Sequence, residues 1–191
     1  MEEISNECEN SKFIIDEIVR FAREKVPVDY LYSTRCQESS YAVQSKCYEL
    51  DLPFCPIINS GIGIDALQHY FTIVKTTENF SFIIDLTYLQ FNKETYPVQI
   101  NGEEVNIISP KKYLSEKNFN ELLNNGYILL TKENLAEYMN AFILSLEPYI
   151  NMDLNEVLNK VEKLLAVSYV TFCRTDNFTF NNNKDKNIKS L

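Results

Sequence analysis

The sequence predicts an α+β fold in which helices pack on a small antiparallel β-sheet. Segments with apolar residues at helical spacing lie near both ends of the chain, and short apolar segments separated by turn sequences occupy its middle. With 191 residues, of which 45% are hydrophobic and 13% aromatic, the chain is long enough to bury one core. We therefore expect a single domain over residues 1–180. Residues 181–191 form a polar tail that is too poor in apolar residues to fold.

Two helices are predicted before residue 51. The first follows Ser11, a favourable N-cap, through "KFIIDEIVRFAREK", and Pro27 ends it. The second is "YSTRCQESSYAVQSKCYEL", which opens at Ser33 or Thr34 because both residues are good caps. The start of this second helix matters for function, since it places Cys36 in the first turn. The buried face of the same helix is expected to contain Val43, Cys47 and Leu50.

The central segments predict strands. "PFCPIINS" is a short strand, and "HYFTIVK" and "FSFIIDLT" are the arms of a hairpin joined by "TTEN". "TYPVQINGEEVNII" forms a second hairpin around Asn101-Gly102, a favoured two-residue turn. If the first hairpin turns between residues 77 and 78, residue 69 pairs with residue 86. This register brings the chain's one histidine, His69, within one position of Asp85.

Three more helices and two short strands are predicted in the second half of the chain. Ser109 and Pro110 are the N-cap and first-turn residues of a helix that runs to Asn124 and ends at Gly126, a C-cap. "YILLT" is a short strand or extended segment, and a second helix follows Thr131. The last helix begins in "DLNE", whose spacing is typical of a capping box, and "SYVTFCR" is a possible final strand.

Charge and cysteine content narrow the possible functions. A net charge of −9 argues against a nucleic-acid or anionic-membrane partner, because such partners require a basic face. No apolar run approaches the roughly 20 residues of a membrane-spanning helix. The acidic start "MEEISNECEN" is unlike a signal peptide, so we expect a cytoplasmic protein or one exported without a conventional signal. Five cysteines indicate free thiols, and one histidine without any C-x-x-C gives no metal site; no cofactor is expected.

Cys36 is the candidate nucleophile. A thiol at a helix N-terminus lies at the positive end of the helix dipole, which lowers its pKa, and the adjacent Arg35 would add to this effect. The N–H groups of the first turn can also receive a developing oxyanion. Further oxyanion donors could come from Gln37 or from Tyr30 or Tyr32 upstream.

His69 and Asp85 complete a candidate Cys-His-Asp triad. An imidazole beside the cysteine would form a thiolate–imidazolium pair, and a carboxylate would hold the ring in the required tautomer. Each residue also has a structural interpretation. Cys36 could be a buried core thiol and His69 a satisfied structural histidine, while Asp85 could cap a backbone amide at the strand end. Cys47, Cys55 and Cys173 are expected to be structural.

The order of these residues resembles that of the papain-like superfamily, in which a cysteine at a helix start precedes a histidine on one strand and an aspartate on the next. The portion "HYFTIV…FIIDLTY" is most similar to the transglutaminase-like and arylamine N-acetyltransferase branches. "RCQE" around Cys36 resembles the acetyltransferase nucleophile region but lacks its preceding glycines. Tyr70 matches only loosely the aromatic residue that often follows the transglutaminase histidine. The resemblance covers residues 30–91 and implies a papain-like or transglutaminase-like core.

The sequence thus leads to two classes of function. The first is a thiol enzyme that forms an acyl-enzyme on Cys36 and most simply hydrolyses a peptide, an isopeptide or a glutamine side-chain amide, as a protease or deamidase does. Transfer of the acyl group to an amine, as in an acyltransferase or transglutaminase, is the alternative within this class. The second is a non-catalytic binding protein that retains the fold. A peptide or protein substrate is expected in the first class, and the sequence leaves the oligomeric state open.

Overall fold

The expected α+β architecture is confirmed. The structure, a computed structural model, describes residues 2–26, 35–52, 54–59, 69–77 and 79–149, together with positions 159 and 163. The helices and strands of the continuous ranges are, in chain order, α1 Glu2–Lys25, α2 Cys36–Glu49, β1 Ile57–Asn59, β2 Tyr70–Lys75, β3 Ser81–Ile84, β4 Thr95–Ile100, β5 Glu103–Ile108, α3 Glu116–Asn125, β6 Tyr127–Leu129 and α4 Lys132–Leu146. Short 3₁₀ turns follow β3 and β5, at Tyr88–Phe91 and Pro110–Tyr113.

Four antiparallel strands form the main sheet, in the order β1-β2-β3-β6. Both faces of this sheet are buried, because successive side chains of a strand point to opposite sides. Phe71, Ile73 and Ile83 pack with the apolar stripe of α4 on one face. Val74 and Ile84 pack with α1 and α2 on the other. The result is a layered domain in which the sheet lies between the N-terminal helices and α4.

The strands β4 and β5 form a separate two-stranded ribbon. As the sequence predicts, the ribbon turns at Asn101 and Gly102, and both residues have positive φ angles, of 53° and 84°. Two successive positive φ values are the signature of the type I′ turn that Asn-Gly favours. Ribbon residues Val98 and Ile107 enter the same core as α4.

The register of the β2–β3 hairpin differs by one residue from the predicted one. Thr72 pairs with Ile84 and Lys75 pairs with Ser81, so five residues connect the arms where the sequence analysis assumed four. The extra residue is accommodated by an interaction in which the Thr76 N–H donates to the Phe80 carbonyl at 3.0 Å.

This shift of register decides which side chains can meet. Extending the observed ladder by one step sets Phe71 opposite Asp85, so that His69 and Asp85 lie diagonally on the same face. The predicted register sets Tyr70 opposite Asp85, which would turn the carboxylate away from His69. The predicted proximity was therefore right, although the register on which it rested was wrong.

Three predicted helix starts are corrected. The first helix begins at Glu2, not after Ser11, and Ser11 is fully buried within it. The second begins at Cys36, with Arg35 at the N-cap, whereas Ser33 and Thr34 lie outside the described residues. The helix predicted from Ser109 is divided, because Leu114 is extended and Ser115 starts a new one.

At the corrected start of α3, the Ser115 hydroxyl accepts a hydrogen bond from the Asn118 N–H. The end of α3 agrees with the prediction, because Gly126 has a left-handed conformation. Thr131 caps α4 by accepting from the Asn134 N–H at 3.1 Å. The helix expected from Asp153, the strand "SYVTFCR" and the tail 181–191 lie outside the described ranges. Within those ranges no helix has the length and apolarity needed to cross a membrane.

Gly126→Ala is expected to destabilise the protein by about 2 to 4 kcal/mol. Its φ of +83° is strained for a residue with a Cβ, and that atom would lie 2.6 Å from the Leu86 Cδ2 atom. Gly102→Ala is the matched control, because its φ of +84° carries the same strain and nothing lies within 4 Å. It should cost about 1 kcal/mol. Urea unfolding of both variants provides the measurement, and equal losses would contradict the proposed overlap with Leu86.

Candidate functional site

The centre of the site is a buried pair formed by His69 and Asp85. His69 directly precedes β2, and Asp85 directly follows β3. The His69 Nε2 atom lies 2.7 Å from the Asp85 Oδ2 atom, and the two residues are only 1% and 2% exposed. A carboxylate at this depth requires partners, because an unpaired buried charge is very unfavourable. The short contact with the imidazole supplies one of them.

The two oxygens of Asp85 accept hydrogen bonds from different parts of the fold. Oδ1 accepts from the Thr87 N–H at 3.0 Å and from the Thr87 hydroxyl at 3.1 Å, which fixes the turn after β3. Oδ2 accepts from the Tyr138 hydroxyl of α4 at 2.7 Å, in addition to its contact with His69. The capping role and the histidine-orienting role were alternatives at the level of sequence. In the structure the same carboxylate performs both.

Cys36 is the first residue of α2 and is 5% exposed. Its thiol is hydrogen-bonded to the His69 ring. Because Nε2 faces Asp85, we infer that the other ring nitrogen, Nδ1, is the one directed toward Cys36. Burial is the largest influence on the thiol and raises its pKa. The hydrogen bond and charge of His69, with the Tyr70 backbone, outweigh burial, so the pKa of Cys36 is lowered.

The His69 ring is held in an aromatic setting that suits a positive charge. It stacks on Phe142 with a centroid separation of 5.2 Å and meets Phe91 edge-on at 5.0 Å. Burial lowers the pKa of His69, but the charge and hydrogen bond of Asp85, joined by those of Cys36, raise it to about 10. The lowered thiol pKa and the raised imidazole pKa both favour a thiolate–imidazolium pair.

The site includes two residues that the sequence analysis did not identify. Gln90, in the 3₁₀ turn after Asp85, places its Nε2 atom 3.1 Å from His69 Nδ1. Tyr138 lies 53 residues beyond Asp85 in the chain. A signal for Gln90 was present, since it is a polar residue in the apolar run "FIIDLTYLQF". No local signal identifies Tyr138, whose position fits an ordinary core stripe.

The other proposed contributors at the α2 start are not part of the buried site. The Gln37 side chain is exposed and donates to the Tyr41 hydroxyl at 3.4 Å, and its role as an oxyanion donor stays a prediction. The Arg35 guanidinium forms an ion pair with Glu38 at 3.1 Å on the surface. The groups that lower the pKa of Cys36 are instead His69 and the Tyr70 backbone. Tyr30 and Tyr32 lie outside the described residues.

The remaining described cysteines have settings unlike that of Cys36. Cys47 and Cys55 are buried in the core between the sheet and the N-terminal helices. The hydrogen bond with Cys55, together with burial, raises the pKa of Cys47, so this thiol stays protonated. Cys8 is partly exposed on α1, and Cys173 lies outside the described ranges. Among the described residues no group of histidine, cysteine and acidic side chains is arranged to hold a metal ion.

Comparison of the chain with protein-family models, with curated proteins and with solved structures finds no match.

Asp85→Asn is expected to impair both folding and the chemistry of Cys36. Each carboxylate oxygen accepts from an N–H group, that of the His69 ring or that of the Thr87 backbone, so an amide NH₂ must face one of these donors and leave it unsatisfied. We expect a loss of about 2 to 4 kcal/mol in unfolding free energy. Alkylation of Cys36 at mildly acidic pH should also fall about tenfold or more per folded molecule, because His69 loses its counter-charge.

Tyr138→Phe is the matched control for this substitution. It removes one donor from the same carboxylate oxygen but leaves the contact between His69 and Asp85. Stability should fall by about 1 to 2 kcal/mol, while Cys36 alkylation changes by less than about threefold. Unfolding curves and alkylation rates are measured on both variants. If Asp85→Asn lowered stability but left the alkylation rate intact, the carboxylate would have only a structural role.

Proposed function

We propose that this protein is a thiol enzyme that forms an acyl-enzyme on Cys36. Its preferred reaction is hydrolysis of a peptide, an isopeptide or a glutamine side-chain amide. The observation that carries the proposal is the buried 2.7 Å contact between His69 and Asp85, with the Cys36 thiol hydrogen-bonded to the same imidazole ring. A thiol at a helix start, a histidine and a carboxylate in this order are the groups that nucleophilic acyl transfer requires.

In the acylation step, the Cys36 thiolate attacks the carbonyl carbon of the amide. Negative charge develops on the carbonyl oxygen near the α2 N-terminus. There the first helical bond runs from the Ser39 N–H to the Arg35 carbonyl, so the N–H groups ahead of Ser39 point out of the helix end. These groups are suited to stabilise the oxyanion. The His69 imidazolium gives its proton to the nitrogen of the leaving amine, and the carbon–nitrogen bond breaks.

In the deacylation step, His69 is neutral and accepts a proton from a water molecule that attacks the thioester. The carbon–sulfur bond breaks, the carboxylic acid leaves, and the Cys36 thiolate is restored beside the imidazolium. Asp85 holds the ring through its Nε2 atom in both steps. The stacking of His69 on Phe142 favours the cationic form that exists between cycles.

Transfer of the acyl group to an amine is a second candidate, favoured by the burial of the site. Cys36 and His69 are 5% and 1% exposed, and aromatic rings of Phe91 and Phe142 flank the histidine. A site that restricts water gives an amine acceptor more time to reach the thioester. The peptide or protein substrate class is common to both reactions.

We expect Cys36 to be alkylated far faster than the other thiols at mildly acidic pH. Its lowered pKa means that the reactive thiolate persists below the usual thiol value of 9.0 and is lost only as the pH falls through the lowered pKa. In His69→Ala the lowering contributions of the imidazole disappear, the Tyr70 backbone contribution remains, and burial raises the pKa of Cys36. The rate at mildly acidic pH should then fall about 10- to 100-fold. Iodoacetamide labelling across pH, followed by peptide mass spectrometry, gives the rate for each cysteine.

Cys47 is the internal control in this experiment, since it is buried and its pKa is raised. If all cysteines react equally slowly in the folded protein, the enzyme proposal fails and the non-catalytic binding function is favoured. If Cys36 reacts fast in both the wild type and His69→Ala, the helix end alone activates the thiol and the triad assignment fails.

The acceptor can be identified with glutamine-containing peptides incubated with and without a primary amine. Hydrolysis of the side-chain amide converts glutamine to glutamate and releases ammonia in both samples, whereas transfer gives an amine adduct only when the amine is present. We expect glutamate to be the main product, because water competes at every turnover. Cys36→Ala, which lacks the nucleophile, should give neither product. A dominant amine adduct at low amine concentration would make transfer the principal reaction.

A further inference from the structure

Gln90 is a buried polar residue behind the histidine of the candidate triad. It lies in the 3₁₀ turn Tyr88–Phe91 and is 7% exposed. Its Nε2 atom lies 3.1 Å from His69 Nδ1, and its Oε1 atom accepts from the Tyr96 hydroxyl of β4 at 3.2 Å. Both ends of the amide are thus engaged, as a buried polar side chain requires. Tyr96 is half-buried and packs on Phe91 with a centroid distance of 5.0 Å.

The contact with Gln90 means that two residues share one nitrogen. His69 Nε2 is occupied by Asp85 at 2.7 Å, so in the proposed reaction Nδ1 is the ring atom available to exchange a proton with Cys36. The same Nδ1 atom is the one that Gln90 reaches. An imidazole nitrogen has a single in-plane direction for a hydrogen bond, as a donor when protonated and as an acceptor when not. Gln90 therefore stands where it can affect the proton transfer.

We propose that Gln90, anchored by the Tyr96 hydroxyl, is a positioning residue that holds the His69 Nδ1 atom in both protonation states of the ring. This inference rests on the proposed function. A side-chain amide carries a donor and an acceptor, so half a turn about its last bond presents NH₂ to the neutral ring or C=O to the imidazolium. The Tyr96 hydroxyl can donate or accept and fits either orientation. A carboxylate or an alkyl group at position 90 cannot serve both states.

The charged groups that act on His69 are few, so a change in its pKa can be assigned to a cause. Asp85 and Cys36 are the groups whose charges act on the ring. The surrounding tyrosines stay neutral because burial raises their pKa values, and in each case a nearby negative group raises the pKa further. These tyrosines are Tyr88 on the 3₁₀ turn, Tyr96 on β4 and Tyr138 on α4. A change in His69 behaviour after substitution of Gln90 therefore reports on Gln90 itself or on the balance between Cys36 and Asp85.

The test uses the fact that His69 is the one histidine of the chain. In protein labelled with ¹⁵N-histidine, its two ring nitrogens give a single pair of NMR signals that reports tautomer and protonation. Gln90→Glu places a carboxylate beside Nδ1, which should raise the pKa of His69 by about one unit or more. Gln90→Leu removes the acceptor for the imidazolium and should lower the pKa by about half a unit or more. Shifts of opposite sign are the expected signature.

Cys36 alkylation supplies the second readout. In Gln90→Glu the new carboxylate competes with the thiolate for the imidazolium, so the rate at mildly acidic pH should fall about tenfold or more. In Gln90→Leu the weaker imidazolium should lower the rate several-fold. Gln99→Glu is the matched control, because it adds the same charge to an exposed position of β4 and should behave as wild type.

Tyr96→Phe keeps the test decisive if a Gln90 variant does not fold. It removes only the hydroxyl that anchors the amide, on a half-buried side chain. Tyr96→Phe should lower the pKa of His69, as Gln90→Leu does, but by a smaller amount. Unchanged ¹⁵N titrations in the folded Gln90 variants and in Tyr96→Phe, with wild-type Cys36 still highly reactive, would overturn this inference alone. Ordinary Cys36 reactivity in the wild type would overturn the proposed function instead.

Discussion

The structure around the site depends on the burial of one carboxylate, that of Asp85. Within the described residues its four hydrogen bonds come from the residue before β2, from the turn after β3 and from α4. Breaking a buried charged interaction by removing one partner typically costs about 3 to 5 kcal/mol, which is a large part of the stability of a small domain. His69, Thr87 and Tyr138 therefore cannot move independently of one another, and three segments that are distant in sequence are fixed relative to each other at this point.

The same constraint extends to the thiol. Asp85 holds the His69 ring at Nε2 and thereby fixes its orientation. The same ring is hydrogen-bonded to Cys36, the first residue of α2. Farther along α2, Val43 and Cys47 pack against the sheet in the same core as the buried residues of α1. The Cys36 thiol is thus positioned by a helix on one face of the sheet and the His69 ring by a contact on the other. Cys36 and His69 meet at the N-terminal end of β2.

Local features of the chain were predictable from the sequence, and long-range features were not. The turn at Asn101 and Gly102, the C-cap at Gly126 and the helix start after Thr131 depend on a few neighbouring residues, and all three were predicted correctly. The start of the first helix was predicted too late because Ser11 resembles an N-cap. The polar segment before Ser11 contains nothing that interrupts a helix, so the helix extends back to Glu2. The contribution of Tyr138 could not be predicted, since it depends on how α4 crosses the sheet.

The register of the β2–β3 hairpin shows why a correct pairing can follow from an incorrect alignment. Sequence spacing brings His69 and Asp85 near each other for any loop of four or five residues, but only the five-residue loop puts both on the face that α4 covers. That face provides Tyr138 for the carboxylate and Phe142 for the ring. On the opposite face the carboxylate would lie in the apolar core of Val74 and its neighbours without these donors. The high cost of an unsatisfied buried charge therefore selects the observed register, and the length of the loop follows from the partners of Asp85.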